Sequence, residues 1–176
     1  NMKIFSRAKI LLLPLVALLA ANAAYAFQDC ELTPEQRGVL HFSYSYGEPH
    51  DYGYTMAAIA MQESHLGKYN IGLDAHSFGP WHVTVDKALI DMGWEDNLFN
   101  RNRAAQLMLD DIYFSAKLAL REVLWWHEVR DGQYTRVVES FNAGYGRNPE
   151  YVRRILSHIK TIKECKWIYP SVYGQE

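Results

Sequence analysis

The sequence contains little cysteine and no concentration of basic charge. Its 176 residues include two cysteines, and 18 Lys and Arg against 20 Asp and Glu give a formal net charge of −2. A chain without a basic stripe is a poor candidate for a nucleic-acid-binding protein. Internal repeats, low-complexity segments, the His-Glu-x-x-His motif and Cys-His zinc spacings are also missing from the sequence. These absences predict a single compact domain that uses neither a cofactor nor a resident metal and does not bind nucleic acid.

Residues 2–26 have the pattern of a secretory signal peptide. A basic start is followed by an apolar run over residues 10–24, and Ala24-Tyr25-Ala26 supplies an A-x-A cleavage site. The run is shorter than the roughly 20 residues that span a membrane. This favours cleavage over a permanent anchor; a weak anchor that is later released is the alternative. We predict an exported protein, periplasmic or secreted, in which residues 27–176 form one monomeric domain without stable membrane insertion.

The two cysteines, Cys30 and Cys165, lie near opposite ends of the predicted mature chain. In an oxidising compartment the expected state of such a pair is a disulfide. In the chain-entropy model, closing so long a loop stabilises the folded state by roughly 4–5 kcal/mol. A cysteine nucleophile is the less favoured alternative, because neither residue has a recognisable base and orienting partner nearby in sequence.

The mature chain is predicted to be mainly α-helical, with a small irregular or β patch. Thr33 and Gln36 form a capping box at a helix start, and Pro34 suits the first helical position. Apolar residues recur at helical spacing along most of the remaining chain. Helices are predicted over residues 34–45, from a cap at Asp51 to Ser64 or His65, from a cap at Asp86 to 92, and over 100–130 (as one helix or two), 134–141 and 149–163. Glycines interrupt residues 67–80, and one short strand is predicted at 81–85.

Glu63 lies at the end of an apolar helical run that begins at Met56. Ile59 and Ala60 precede it on the same helical face. That face is expected to be buried, so desolvation and the negative end of the helix dipole would both raise the pKa of Glu63. A carboxylic acid that stays protonated near neutral pH is able to act as a general acid, here on a glycan. An ordinary solvated residue at a helix end is the alternative.

Three short segments follow one another in a characteristic order. They are Gln62-Glu63-Ser64, then Ser77-Phe78-Gly79-Pro80-Trp81-His82-Val83, then Ser140-Phe141-Asn142-Ala143-Gly144, followed by Tyr151-Val152 at the start of a late helix. This order resembles the lytic transglycosylases with a soluble-type (SLT), lysozyme-like catalytic domain. That family shows Glu-Ser, then Gly-Leu-Met-Gln-Ile, then Ala-Tyr-Asn-Ala-Gly, then Tyr-Val. The resemblance covers residues 51–159 and implies an α+β lysozyme-like fold.

The resemblance also implies roles for residues around the general acid. Trp81 stands at the family's Met position and would pack on the apolar face of a sugar, while His82 stands at its Gln position and would hydrogen-bond the substrate. Ser77 is a stand-in for a serine that the family carries before the glycine. Asn142, in the intact Asn-Ala-Gly, would bind an N-acetyl group or position the substrate, and Tyr151 would hydrogen-bond near the acid. Helix termination by Asn142 and core packing by Tyr151 are the structural alternatives.

The activity implied by the resemblance is cleavage of the β-1,4 bond between N-acetylmuramic acid and N-acetylglucosamine in the glycan strands of peptidoglycan. Protonated Glu63 would donate its proton to the glycosidic oxygen. As a carboxylate it would then accept the proton of the sugar's C6 hydroxyl, which closes on C1 to give a 1,6-anhydro end. Most glycosidases need two carboxylates. Here no second acid has a motif position, although Asp74 and Asp86 lie close enough in sequence to be considered.

Other functions stay open at this point. Hydrolysis by a lysozyme-type muramidase, such as a phage endolysin, is the closest alternative. A zinc peptidase or amidase acting on the cell wall would use Asp74, His76 and His82, which surround a glycine-proline turn. A non-catalytic glycan-binding module is a further alternative. The pair Trp125-Trp126 is predicted to pack in the core, with a glycan platform as the second interpretation, and the sequence does not distinguish a bacterial from a phage setting.

Overall fold

The computed structural model describes residues 30–168. The predicted signal peptide, residues 2–26, lies outside these residues. The chain divides into a unit of residues 1–31, of which only Cys30 and Glu31 are described, and a compact unit of residues 32–176.

The second unit is mainly α-helical, as predicted. Its helices within residues 32–168 are α1 (Pro34–Gly47), α2 (Gly53–Ser64), α3 (Val85–Met92), α4 (Leu98–Asp110), α5 (Ile112–Val129), α6 (Tyr134–Ala143) and α7 (Pro149–Glu164), with a 3-10 helix at Glu48–His50. Two short strands, β1 (Ser77–Phe78) and β2 (Val83–Thr84), pair antiparallel, with Ser77 opposite Thr84 and Phe78 opposite Val83. The predicted small β patch is therefore present after α2.

Helix α2 lies at the centre of this unit. Its residues from Met56 to Met61 are all buried, and it packs against both α1 and α7. A helix that is apolar on every side suits a core position. The helix stops at His65, which adopts the left-handed conformation with φ 58°. Ser64 closes this end, because its hydroxyl donates to Ala60 O at 3.0 Å and accepts from Gly67 N at 2.8 Å.

The start of α1 is bonded to the end of α2. The predicted capping box forms, with Gln36 N donating to Thr33 Oγ1 at 3.2 Å and Thr33 N donating to Gln36 Oε1 at 3.1 Å. The side-chain amide of Gln36 also donates to His65 O at 3.1 Å. The Gln36 side chain therefore takes part in the cap of α1 and also bonds to His65, the C-cap residue of α2. His65 lies two positions after Glu63.

Two predicted helix caps are wrong. Asp51 does not cap α2, because the 3-10 helix occupies the turn and Asp51 follows it in the left-handed conformation with φ 63°. The residue before α2 is Tyr52, without a side-chain cap bond. Asp86 does not cap α3 either, because that helix begins one residue earlier, after Thr84.

The predicted strand at 81–85 is reduced to β2, and its first two residues lie in the turn between the strands. Gly79 begins this turn with φ +76°, a conformation that favours glycine. A Cβ at Gly79 would lie 2.2 Å from Ser115 Oγ and 2.8 Å from Met108 O. The hairpin is therefore in close contact with α4 and α5, and only glycine fits there.

Residues 100–130, predicted as one helix or two, lie in two helices separated at Asp111. Its backbone is extended, with φ −120° and ψ 100°. Its carboxylate accepts from Tyr113 N at 2.9 Å and from Phe114 N at 3.1 Å. This is the bonding of an N-cap residue, so Asp111 starts α5 at the point where α4 stops.

A buried carboxylate holds the connection between α6 and α7. Glu139 accepts from Arg147 Nε at 3.0 Å and from Asn148 N at 2.9 Å, and it pairs with Arg136. Asn148 in turn caps α7, because its side-chain oxygen accepts from Tyr151 N at 3.0 Å. These bonds fix the position of Tyr151 in the first turn of α7.

Cys30 and Cys165 are both disulfide-bonded and neither is free, so the predicted disulfide is confirmed. In the part of the chain from 30 to 168, no helix is long and apolar enough to cross a membrane.

We expect Trp81→Ala to lower the free energy of unfolding by about 3–5 kcal/mol, the usual cost of removing a buried Trp side chain. Trp81 is 0% exposed, and its indole N–H donates to Met56 O at 3.0 Å. The matched control is Trp125→Ala, because Trp125 is 48% exposed; its expected loss is below about 1 kcal/mol. Urea denaturation measures both values, and equal losses would contradict this assignment of Trp81 to the core.

Candidate active site

Glu63 is a largely buried carboxyl group at the end of α2. Its side chain is 19% exposed, and Ile59 and Ala60 on the same helical face are fully buried. Burial raises the pKa of Glu63 above its usual range, although the Tyr151 hydroxyl, His82 and Arg154 act in the opposite direction. Glu63 therefore has the environment that the sequence predicted for it.

Tyr151 holds one oxygen of the Glu63 carboxyl. Its hydroxyl donates to Glu63 Oε1 at 2.7 Å, and its side chain is 1% exposed. Burial, together with the negative charge of Glu63, raises the pKa of Tyr151 well above its ordinary value. The hydroxyl therefore keeps its proton and acts as a donor to Glu63. The contact lies where the sequence predicted it, and a catalytic contribution of Tyr151 stays a prediction.

His82 lies beside the other oxygen of this carboxyl. Its Nδ1 is 3.7 Å from Glu63 Oε2, and its Nε2 is 2.7 Å from Tyr69 O. A carbonyl oxygen accepts only, so Nε2 must carry a proton. In the neutral ring, Nδ1 is then the unprotonated nitrogen that lies near Glu63. The predicted substrate bond of His82 stays a prediction.

Neither the Ser77 nor the Trp81 side chain forms a hydrogen bond to Glu63 within residues 30–168. Ser77 is buried in β1, and its hydroxyl donates to Asp74 Oδ1 at 3.3 Å. The expectation that Trp81 packs on a sugar is wrong for this structure. Its ring is fully buried against Met56, so no face of it is open to a ligand.

Asn142 is exposed near the end of α6. Its side-chain oxygen accepts from Asn148 Nδ2 at 2.7 Å, and Asn148 also caps the helix that carries Tyr151. The amide nitrogen of Asn142 has no bond to another residue within 30–168, so it is open to a ligand. Asn142 is thus joined to Glu63 through Asn148 and Tyr151.

A second buried carboxylate, Glu122 of α5, lies close to this site and was missed by the sequence analysis. Its side chain is 9% exposed and forms an ion pair with Lys87 of α3, and Trp126 Nε1 is 3.4 Å from its Oε1. Burial raises the pKa of Glu122 although Lys87 opposes this. The negative charge of Glu122 also raises the pKa of both Glu63 and Tyr151.

The acids that the sequence analysis considered as a second carboxylate are engaged elsewhere. Asp74 accepts from His76 N at 3.0 Å, and Asp86 pairs with Arg101 at 2.7 Å. Glu122 could not be found from a motif, because its cationic partner Lys87 lies on another helix. The only neighbour in sequence that could have indicated a role for Glu122 is Trp126, one helical turn further along α5.

A cavity of about 580 Å³ opens between α3, α5 and α6 beside Glu122. Apolar atoms make up most of the exposed lining surface, but half of the lining residues are polar or charged. The lining includes Lys87, Leu118, Glu122, Trp126, Phe141 and Asn142. Glu63 is not among the lining residues. Two residues that do line the cavity are linked to Glu63: the charge of Glu122 acts on it, and Asn142 is bonded to Asn148, the cap of the helix that carries Tyr151.

The residues considered for zinc do not form a ligand set. Over residues 30–168, no group of three or more His, Cys, Asp and Glu side chains is arranged to hold a metal ion. Both ring nitrogens of His82 already face protein groups, Glu63 and the carbonyl of Tyr69. The donor set proposed from Asp74, His76 and His82 therefore does not fit a zinc site.

No protein-family model, curated protein or solved structure matches the chain. The resemblance to lytic transglycosylases therefore rests on the sequence motifs at Glu63, Gly79 and Asn142 alone.

We expect Tyr151→Phe to raise the pKa of Glu63 further, because the variant loses the hydrogen bond that stabilises the carboxylate and keeps the ring in the core. Carbon-13 NMR titration of the Glu63 carboxyl in parent and variant measures the shift. Tyr113→Phe is the control, since Tyr113 is exposed on α5. An unchanged or lower pKa in Tyr151→Phe would contradict the assigned bond.

The stability of Glu63→Gln relative to the parent should increase with pH. Because the folded-state pKa of Glu63 is raised above 4.5, the stability that the neutral carboxyl contributes is fully present below that value and is lost as the pH rises through the folded pKa. Glutamine does not titrate and shows no such loss. Urea denaturation from below pH 4.5 to above neutral pH tests this. Glu128→Gln, an exposed change on α5, should show a much flatter dependence.

Proposed function

We propose that this protein is an exported lytic transglycosylase with a lysozyme-like fold, which cleaves the bond between N-acetylmuramic acid and N-acetylglucosamine in peptidoglycan. The observation that carries the proposal is the buried carboxyl of Glu63 at the end of α2, with its raised pKa and its bond from Tyr151. The order of the motifs at Glu63, Gly79, Asn142 and Tyr151 supports the same class of activity.

In the first step Glu63 acts as a general acid. Tyr151 donates to Oε1, so the acidic proton is carried by Oε2, the oxygen nearer His82. Transfer of this proton to the glycosidic oxygen breaks the C1–O bond and releases the sugar that follows. The N-acetyl group of the muramic acid stabilises the positive charge that develops at C1.

In the second step Glu63 acts as a base. The carboxylate, stabilised by the Tyr151 hydroxyl, accepts the proton of the C6 hydroxyl of the muramic acid. The C6 oxygen forms a bond to C1, which gives the 1,6-anhydro end and restores protonated Glu63. No water is consumed, and the cycle is closed with a single carboxyl group.

Hydrolysis is the second candidate, and Glu122 is the observation that favours it. Glycosidases that use water normally have two carboxyl groups, one as the acid and one as the base or nucleophile. Glu122 is a buried carboxylate whose charge acts on Glu63, and its Oε2 forms no bond within residues 30–168. In this candidate mechanism Glu122 would accept a proton from an attacking water. Its pairing with Lys87 weakens it as a base, which is why transglycosylation is preferred.

Mass spectrometry of peptidoglycan digested by the protein separates these candidates. Transglycosylation gives muropeptides one water lighter than the reducing products of a muramidase, and borohydride does not reduce their anhydro ends. We expect the lighter products. Fully reducible ends would establish hydrolysis instead.

Glu63→Gln should lower the rate of peptidoglycan cleavage at least about 100-fold, the usual contribution of a general acid. The isosteric amide keeps the shape of the site but carries no transferable proton. Glu128→Gln removes one exposed carboxylate and should keep the parent rate. Retention of full activity by Glu63→Gln would refute acid catalysis by Glu63, and absence of cleavage by the parent would favour the non-catalytic glycan-binding module.

A further inference from the structure

Glu63 and His82 each have one polar atom that is bonded to the protein and one that faces the other residue. The Tyr151 hydroxyl donates to Glu63 Oε1 at 2.7 Å, and His82 Nε2 donates to Tyr69 O at 2.7 Å. The remaining atoms, Glu63 Oε2 and His82 Nδ1, lie 3.7 Å apart. Among the described residues, neither of these two atoms forms a hydrogen bond to another group.

Without an added proton, both of the facing atoms are hydrogen-bond acceptors. The carbonyl of Tyr69 accepts only, so the proton of the neutral His82 ring is on Nε2 and Nδ1 carries a lone pair. The oxygens of an ionised carboxyl group also only accept. Two acceptors 3.7 Å apart in a largely buried place repel each other. One proton, on either atom, turns this contact into an attraction.

A second proton is bound less readily than the first, because it places positively charged His82 beside a neutral carboxyl group. The charge of His82 acts to lower the pKa of Glu63. Burial raises that pKa toward the range in which histidines titrate. The side chains of His82 and Glu63 are 14% and 19% exposed, so solvent screens their interaction only in part. The two groups therefore compete for one proton over the same range of pH.

The backbone places the His82 ring independently of Glu63. His82 has φ 46°, a left-handed conformation that few residues with a Cβ adopt, although histidine and asparagine tolerate it better than most. The turn holds this conformation through the bond from His82 N to Gly79 O at 3.1 Å. Conformations of this kind persist where the surrounding structure fixes them, and they are concentrated at functional sites. Because the turn and Tyr69 hold the ring, its position does not require a bond to Glu63.

We propose that Glu63 and His82 form a coupled pair that shares one proton between Oε2 and Nδ1, and that His82 is the positioning residue that keeps this proton at the site. The part of the pair in catalysis rests on the proposed function. The shared proton passes to the glycosidic oxygen, and the proton of the C6 hydroxyl restores it. The glutamine that stands at this position in the motif of the family does not titrate, so the pair is a property of this chain.

Three other titratable or charged groups act on Glu63. Tyr151 and Arg154 of α7 lower its pKa, and Glu122 of α5 raises it. Tyr151 keeps its own proton, because burial and the charge of Glu63 raise its pKa well above its ordinary value. Arg154 keeps its charge, and Glu122 is already in an ion pair. These groups shift the pH at which the shared proton is lost without facing Oε2 as a second acceptor, and the test has to separate their effect from that of His82.

NMR titration of the parent and of two variants tests the pair. In the parent, the Glu63 carboxyl carbon and the His82 ring nitrogens should both change in the same two steps, separated by more than about one pH unit. Glu63 in His82→Gln, and His82 in Glu63→Gln, should each titrate in a single step that lies between the two steps of the parent, because the partner no longer titrates. The matched control His76→Gln changes the exposed histidine immediately before β1 and should keep both steps.

The pH dependence of peptidoglycan cleavage measures the effect of the pair on activity. The pair binds its first proton more tightly than Glu63 alone, so His82→Gln should lose activity at a lower pH than the parent on the alkaline side. The expected shift is about 0.3 pH unit if the proton is shared equally, and larger if His82 holds more of it. A purely structural role of His82 would lower the rate at every pH without moving this limb. His76→Gln should keep the parent profile.

Independent single-step titrations of Glu63 and His82 in the parent overturn the pair, whether or not the parent cleaves peptidoglycan. A proton on Nδ1 of the neutral ring, read from the ring nitrogen shifts at high pH, also overturns it. Circular dichroism checks folding, and His82→Asn, which tolerates the left-handed conformation, replaces His82→Gln if that variant does not fold. An alkaline limb that His82→Gln leaves unmoved overturns the part of the pair in catalysis. Coupled titration in a parent that does not cleave refutes the proposed function and leaves the pair intact, so the two failures are distinguishable.

Discussion

The hydrogen bond from the Tyr151 hydroxyl to Glu63 is the interaction on which the candidate site depends. It joins the end of α2 to the first turn of α7, across 88 residues of sequence. Ser64 fixes one side of this bond by ending α2, and Asn148 fixes the other by capping α7. Burial favours neutral Glu63, whereas the Tyr151 bond favours the ionised form. In the proposed mechanism Glu63 donates and then accepts a proton, and these two opposing influences leave neither form stabilised alone.

The sequence was sufficient wherever the determining contacts are local. The helical pattern, the capping box of Thr33 and Gln36, and the end of α2 at Ser64 all follow from residues within a few positions of one another. The burial of Glu63 was predicted in the same way, from Ile59 and Ala60 one turn earlier. Helix periodicity and capping depend on short segments of sequence. Tertiary packing does not override them here, because the apolar helix faces predicted from the periodicity are the faces that pack in the core.

The sequence was insufficient where a side chain's partner lies on another element. Glu122 carries no motif, and its importance comes from Lys87 on α3 and from its approach to Glu63. Trp81 was placed on the substrate because a resemblance fixes a position in the chain but not the direction of a side chain. The Trp81 ring lies in the core, after the turn that begins at Gly79. A pattern of residue types shows neither which side chains on different helices face each other nor whether a ring points outward or into the core.

The bond between Gln36 and His65 has a consequence for the order in which the site forms. Helices α1 and α2 are neighbours in the chain and pack on each other, so their contacts close short loops. The Tyr151 bond closes a far longer loop, and long-range contacts of this kind are expected to form later in folding. Glu63 would therefore acquire its hydrogen bond from Tyr151 only when α7 docks on α2. The full environment of this carboxyl group is then a property of the finished fold.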